Sequence, residues 1–296
     1  VVGAGLAGLA AADALRRAGL APLVLEKSRG IGGRLATRRT REGLAYDHGA
    51  PVVHRRGAAF AAVLAGAEAR GDAAAFGADV VGLPGMSGLP RGLAEGLDIR
   101  FGVEARAVAR AGGALAVDCG EAGPVEADAV LVAAPAPQTA RLCADFAGVA
   151  GPAAEARMAP CWTLMSAFAR PARARPAASA PFASLWAQSD RPGRAAAPDR
   201  WVAHAAPDWT AANLEREREE AAEALLPALR AALGAEGPVA HVAAHRWRYA
   251  RVARPVGRPF LSDGAVFAAG DWLLGAEAGD AHASGLAGAA ALLARL

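Results

Sequence analysis

VVGAGLAGLAAADALRRAGLAPLVLE, residues 1–26, is the stretch that decides the fold. Val1 and Val2 are the end of an apolar strand that runs straight into Gly3-Ala4-Gly5-Leu6-Ala7-Gly8. From Leu6 to Ala18 the pattern is that of an amphipathic helix, and Gly19 is a natural stop. Leu23-Val24-Leu25 then make a second short strand that ends on an acid, Glu26. Strand, glycine turn, helix, strand and acid in that order form the dinucleotide-binding pattern. Gly3 permits the tight turn, Gly5 lets backbone approach a pyrophosphate, and Gly8 lets helix and strand pack closely. Leu6 and Ala7 open the helix, whose unpaired N–H groups suit an anion. Glu26 is placed to accept hydrogen bonds from ribose hydroxyls.

The next residues, Lys27-Ser28-Arg29-Gly30-Ile31-Gly32-Gly33-Arg34-Leu35-Ala36-Thr37-Arg38, separate two kinds of dinucleotide. A second glycine pair followed by arginine is not needed to hold NAD. It suits a loop passing over a pyrophosphate and bringing a guanidinium to it, since arginine matches phosphate oxygens in a bidentate way. The expected cofactor is FAD, with Lys27, Gly32, Gly33 and Arg34 in its loop.

The totals are consistent with an enzyme of this kind. The 296 residues are 54% hydrophobic and 21% charged, enough for a sizeable core in one large domain or two entwined ones. Net charge is only +3, and Lys27 is the sole lysine. That small excess is not the clustered basic face of a nucleic-acid binder. The three cysteines, Cys119, Cys143 and Cys161, show no CxxC spacing and fit a reducing cytoplasm. No apolar run is long enough to cross a bilayer, so no membrane partner is expected. The chain opens without methionine and almost inside a strand, so a few residues are expected before Val1. No histidine falls in a zinc-site pattern and no GxSxG elbow is present.

Together, VVGAGLAGLAAADAL, EKSRGIGGRLATRR, YDHGA, PGMSGLPRGLAEGL, ADAVLVAAPAPQ, MAPCWTLM, HRWRYA and the terminal GDW…SGLAGAAAL resemble the FAD-dependent amine-oxidase superfamily, and within it the bacterial renalase-like branch. The resemblance implies an α/β fold in which a Rossmann-like FAD/NAD(P)-binding domain is interleaved with an α+β substrate domain, an amine-oxidase/p-hydroxybenzoate-hydroxylase-like architecture. The division it implies puts residues 1–60, 84–145 and 252–296 with the cofactor and 61–83 and 146–251 with the substrate. It further implies noncovalent FAD, backbone near Val103 at the adenine, and a last strand that returns Gly270 and Asp271 to the ribitol. Asp280 and Ser284 would then lie at the start of the final helix, by the flavin. Renalase-like enzymes oxidise isomeric dihydro-NAD(P) by hydride transfer to flavin N5, with reoxidation by O2. One departure concerns the substrate side: where the family continues its GA with glutamine and an aromatic residue, this chain has Pro51-Val52-Val53.

The remaining segments are read physically. Ile99–Val108 is expected as one strand, Leu115–Glu126 as a hairpin, and Ala129–Ala134 as a buried strand. Asn213–Leu233 is expected as a long helix capped by Asn213. Strands over Pro160–Ala169 and Arg200–Ala206 would form a wall over the flavin, which makes Trp162 and Trp186 pocket candidates. His245-Arg246-Trp247-Arg248-Tyr249-Ala250-Arg251 is first a strand with Trp247 and Tyr249 facing in. A second reading has Arg248 or Arg251 meet the phosphates of a pyridine nucleotide, with His245, Trp247 and Arg248 as pocket candidates, and single-stranded RNA is a distant third. Loss of hydride from a dihydropyridine leaves an aromatic ring and needs no base, which matches a sequence without an acid–base pair. The alternatives are an amine or other small-molecule oxidase on the same scaffold, and a non-catalytic FAD-binding partner module.

Overall fold

The computed structural model describes residues 1–296. Its central sheet grows outward from the opening strand. Val2 bridges in parallel to both Leu25 and Val132. Leu23–Glu26 pairs in parallel with Asp98–Phe101, and Val130–Val132 with Val266–Ala268. Leu261–Asp263 closes the far edge antiparallel. Such strands are covered on both faces and read as unbroken apolar runs, as the wholly buried Val130-Leu131-Val132 and Val266-Phe267-Ala268 do.

Consecutive residues of one strand feed opposite layers. Val24 belongs to a core with Leu9, Phe60, Leu64, Met86 and Leu89. Leu25 belongs to another, with Val108, Val117, Phe146, Val149 and Trp272. The first helix (Leu6–Arg17) and the closing helix (Ala278–Leu293) lie together on the first of these faces. Gly285 makes that contact possible, because a Cβ there would stand 2.2 Å from the Ala7 carbonyl oxygen. The opposite face carries a three-stranded antiparallel sheet, Ala107–Ala111, Ala114–Asp118 and Val125–Ala127.

A second, four-stranded antiparallel sheet runs Phe182–Ala187, Asp199–Ala205, Arg157–Phe168, Val239–Arg254. Its back is covered by the helix Arg218–Leu233, whose Ala221, Ala222, Leu225, Leu229 and Leu233 are buried at helical spacing. Trp162, Leu164, Phe168 and Trp201 fill the layer between. The two sheets thus give the two-part α/β architecture that the resemblance implied.

Three expectations need correction. Ile99–Val108 is not one strand: pairing stops at Phe101, Gly102 turns with a positive φ of 73°, and Ala107 begins a strand of the other small sheet. Asn213 does not open the long helix. It closes a short one, Pro207–Ala212, by donating from its side chain to the Trp209 carbonyl (2.8 Å). Glu217 is the true cap, in a reciprocal box with Glu220. Residues 61–83, expected with the substrate domain, share their core with the first helix: Leu64, Ala67 and Val80 pack with Leu9, Ala12 and Val24.

Candidate active site

A cavity of about 2250 Å³ runs between the C-terminal ends of the parallel strands and the four-stranded sheet. Its floor is the opening motif. The first helix starts at Leu6 with no side chain capping it, so its first N–H groups point at the cavity unpaired. A Cβ built at Gly5 would meet no atom within 4 Å, which leaves room for a ligand to reach the backbone. Gly8 does not line the cavity; a Cβ there would fall 1.9 Å from the Gly3 carbonyl oxygen, so its role is close packing. The second glycine pair lies directly on the first. Gly32 (φ 108°) donates to the Ala4 carbonyl at 2.8 Å, and Gly33 (φ 56°) sits where a Cβ would be 3.3 Å from Gly5 Cα.

Glu26 takes the Ala4 N–H on one oxygen (2.7 Å) and the Ser28 N–H on the other (2.8 Å). Each oxygen keeps a further lone pair, which ribose hydroxyls can use. Lys27 and Val103 also line this end, and Val103 N–H donates to the Glu26 carbonyl at 3.1 Å. An uncapped helix start, an open glycine cradle and a free carboxylate acceptor fit FAD, which Gly3, Gly5, Leu6, Ala7 and Glu26 could hold.

Arg34 and Asp271 were expected at separate parts of the cofactor, and the structure brings them together. The guanidinium donates to both carboxylate oxygens at 2.7 and 2.6 Å and reaches the Ala250 carbonyl at 3.2 Å. One bidentate pair therefore ties the glycine loop, the last strand end and the four-stranded sheet to a single point. Gly270 lines the cavity beside them, whereas Asp280 and Ser284 do not. Asp280 accepts the Glu277 N–H (3.0 Å) in the closing helix's capping box. Ser284 Oγ accepts the Gly270 N–H (2.9 Å) and donates to the Pro259 carbonyl (2.7 Å), holding the strand-to-helix turn in place.

Of the expected pocket residues, Trp186, His245, Trp247 and Arg248 line the cavity. Trp162 does not: it is fully buried behind the sheet, with its N–H on the Asn213 carbonyl (2.9 Å). Arg248 lines the rim but is bidentate to Glu215 (2.8 and 2.6 Å). The residues missed from the sequence are His48, Thr163, Ser184 and His204. Ser184, His204, Thr163 and His245 occupy one register level across four strands. Ser184 Oγ lies 2.9 Å from His204 Nδ1 and accepts the Trp186 N–H at 3.0 Å. His48 rests against both the Trp247 ring and the His245 ring, each with centroids 4.9 Å apart, and its carbonyl accepts the Trp247 N–H. YDHGA was a visible signal for His48. Nothing in the sequence marks the other three, because register across strands is a tertiary fact.

Burial pushes His48 down to about 3, and His204 and His245 down to about 4, so all three imidazoles are neutral at ordinary pH. His241 is lowered for the same reason. Burial also pushes Cys161 up to about 11, which leaves it an unreactive thiol. Among the residues of the four-stranded sheet that line the cavity there is no acid.

The comparisons with known proteins agree with this frame. A model described as the NAD(P)-binding Rossmann-like domain matches residues 1–65. One described as flavin containing amine oxidoreductase matches residues 58–293. Similar solved structures include an Exiguobacterium sp. 255-15 protein assigned provisionally as a protoporphyrinogen oxidase, with a TM-score of 0.73 and 16% identity over 100% of this chain and 98% of that one. A putrescine oxidase bound to putrescine gives 0.72 and 16% over 99% and 98%. Cyclohexylamine oxidase from Brevibacterium oxydans IH-35A gives 0.66 and 12% over 98% and 97%. At such identities the likeness is one of fold.

Proposed function

Because this chain belongs to the flavin-containing amine oxidoreductase family, it is an FAD-dependent oxidoreductase acting on a small molecule, and we propose that this molecule is a reduced pyridine nucleotide, an isomeric dihydro-NAD(P), with O2 as the final acceptor. The observation that carries the reading is the absence of any acid on the substrate-facing sheet beside histidines that burial keeps neutral. An ammonium substrate needs an anionic partner in a low-dielectric pocket, and that wall offers none. A dihydropyridine needs neither a counter-charge on its ring nor a base, because loss of hydride alone makes the ring aromatic.

When bound, FAD supplies the hydride acceptor and passes the electrons on to oxygen. This chain's residues bind and orient. Gly3, Gly5, Leu6, Ala7 and Gly33 offer backbone to a pyrophosphate, and Glu26 accepts from a ribose. Asp271, already neutralised by Arg34, keeps lone pairs for ribitol hydroxyls. Trp247, His48 and His245 give an uncharged aromatic cluster, the two histidine rings edge-on to each other, against which a planar ring can rest. FAD is taken to be noncovalent, since no cysteine lies in the closing segment. Residues 1–60, 84–145 and 252–296 are assigned to cofactor binding and 146–251 to the substrate wall, with 61–83 joining the cofactor side through its core. The free, buried Cys119 and Cys143 support a reducing, cytoplasmic setting.

The test is anaerobic. Holoenzyme is mixed with borohydride-treated NAD(P), which contains the isomers, and flavin absorbance is followed. Bleaching within seconds is expected. Bleaching by putrescine or cyclohexylamine but not by that mixture would reassign the chain to the amine oxidases.

A further inference from the structure

Arg191 is buried without a full set of partners. It lies just past the strand Phe182–Ala187, and neither its side chain nor that of Asp47 has any exposed surface. Asp47 is the one carboxylate paired with it, at 3.5 Å, and Arg194 makes a closer pair with the same group. Two buried cations thus share one anion. Arg191 Nη1 also donates to the Pro51 carbonyl (2.6 Å), but its Nε and Nη2 meet no hydrogen-bond partner. Burial pushes this guanidinium down to about 10, so it stays charged at neutral pH. A desolvated cation with too little acid needs stabilisation from elsewhere. It lies over the Trp186 ring, its central carbon 5.2 Å from the centroid, with the Phe76 ring further off at 5.9 Å. Indole is the better cation acceptor of the two.

Trp186 lines the cavity and Arg191 does not, so the ring is held from outside it. The Trp186 N–H donates to Ser184 Oγ (3.0 Å), which lies 2.9 Å from His204 Nδ1. In the other direction, Asp47 accepts from the hydroxyl of Thr37 (2.7 Å), which lines the cavity just past the second glycine pair, and the Asp47 N–H donates to Gln188 Oε1 (3.0 Å). An unbroken run of contacts thus joins Thr37, Asp47, Arg191, Trp186, Ser184 and His204. We infer that Arg191 is a positioning residue, anchored on Asp47, that fixes the Trp186 ring in the cavity wall relative to the glycine loop. Its effect on turnover rests on the pyridine-nucleotide reading, in which this wall orients the reduced ring; its hold on the indole does not. A loosened wall costs orientation more than affinity.

Arg194 still pairs with Asp47 in Arg191→Met, so that variant should fold. With holoenzyme, it should slow the limiting rate of anaerobic flavin bleaching by borohydride-reduced NAD+ roughly tenfold and leave half-saturation within about twofold. Trp186→Leu should cost as much, and the double variant should be no slower than Trp186→Leu alone, because the arginine acts through the ring. Additive losses in the double variant, or a loss confined to half-saturation, would overturn the assignment. Near-ultraviolet circular dichroism supplies the second measurement. Arg191→Met should change the indole bands of the holoenzyme, and that change should vanish in the Trp186→Leu background. No change, or the same change in both backgrounds, would also overturn it. If reduced NAD+ does not bleach the unaltered holoenzyme, the functional reading fails on its own, and the dichroism alone decides whether Arg191 holds Trp186. Should Arg191→Met not fold, Arg191→Lys is read by the same two measurements, since it keeps a charge on Asp47 and lacks the planar group that stacks on indole.

Discussion

The histidines show at the scale of single residues how tertiary burial sets chemistry. His48 and His245 ordinarily titrate near 6.5, and burial lowers them to about 3 and about 4. Between about pH 4 and 6.5 the unfolded chain therefore takes up protons that the folded chain refuses. Stability from these groups is fully present above 6.5 and is lost as pH falls through that window, by at most about 1.4 kcal/mol per pH unit for each histidine. Urea midpoints at pH 7.5, 6 and 5 should fall progressively, and His245→Asn should flatten the slope. A variant slope as steep as the original would show that carboxylate pairs, not this imidazole, govern the acid limb. The residue scale also shows where sequence reading stops. Arg34 and Asp271 were each recognisable from a motif. Their mutual pairing was not, because 237 positions separate them.

Among the elements, the closing helix bears on the site through its packing against the first helix. It is made of small residues, Ala278–Leu293, and its packing on the first helix depends on Gly285. Gly285→Val would place a branched side chain where even a Cβ meets the Ala7 carbonyl at 2.2 Å. Helix separation should cost about 1–3 kcal/mol, typical of overpacking. Because Ser284 holds Gly270 beside Asp271, FAD retention on gel filtration should fall as well. Full retention with unchanged urea stability would mean that the two helices are free to shift. The elements also divide by how legible they were. The opening strand, glycine turn, helix and acid were readable because each is a local pattern with a local cause. Asn213 was misread as a cap because an asparagine before a helical run looks the same whether it opens that run or closes the previous one. Ile99–Val108 was misread as one strand because alternation continues across Gly102, while the backbone changes sheets there.

At the scale of the whole molecule, the cavity is lined from both ends of the chain. Val2 bridges to Val132, which pairs beside Val266–Ala268, so the site is incomplete until the last strand is in place. FAD should therefore bind only the fully folded chain and stabilise both halves together. A single thermal transition is expected, and FAD at about 100 times its Kd should stabilise the protein by about 2.7 kcal/mol. Calorimetry that resolves two transitions, only one of them shifted by FAD, would argue against that coupling. The sequence by itself determined the Rossmann-like half, the nature of its cofactor and the place of Glu26 at the end of the second strand, since glycine spacing and apolar runs act over a few residues. Only the tertiary structure decided which wall faces that cofactor. The row Ser184–His204–Thr163–His245 exists through strand register, and the neutrality of its imidazoles through burial. Those are properties of distance in space, and the order of residues along the chain does not carry them.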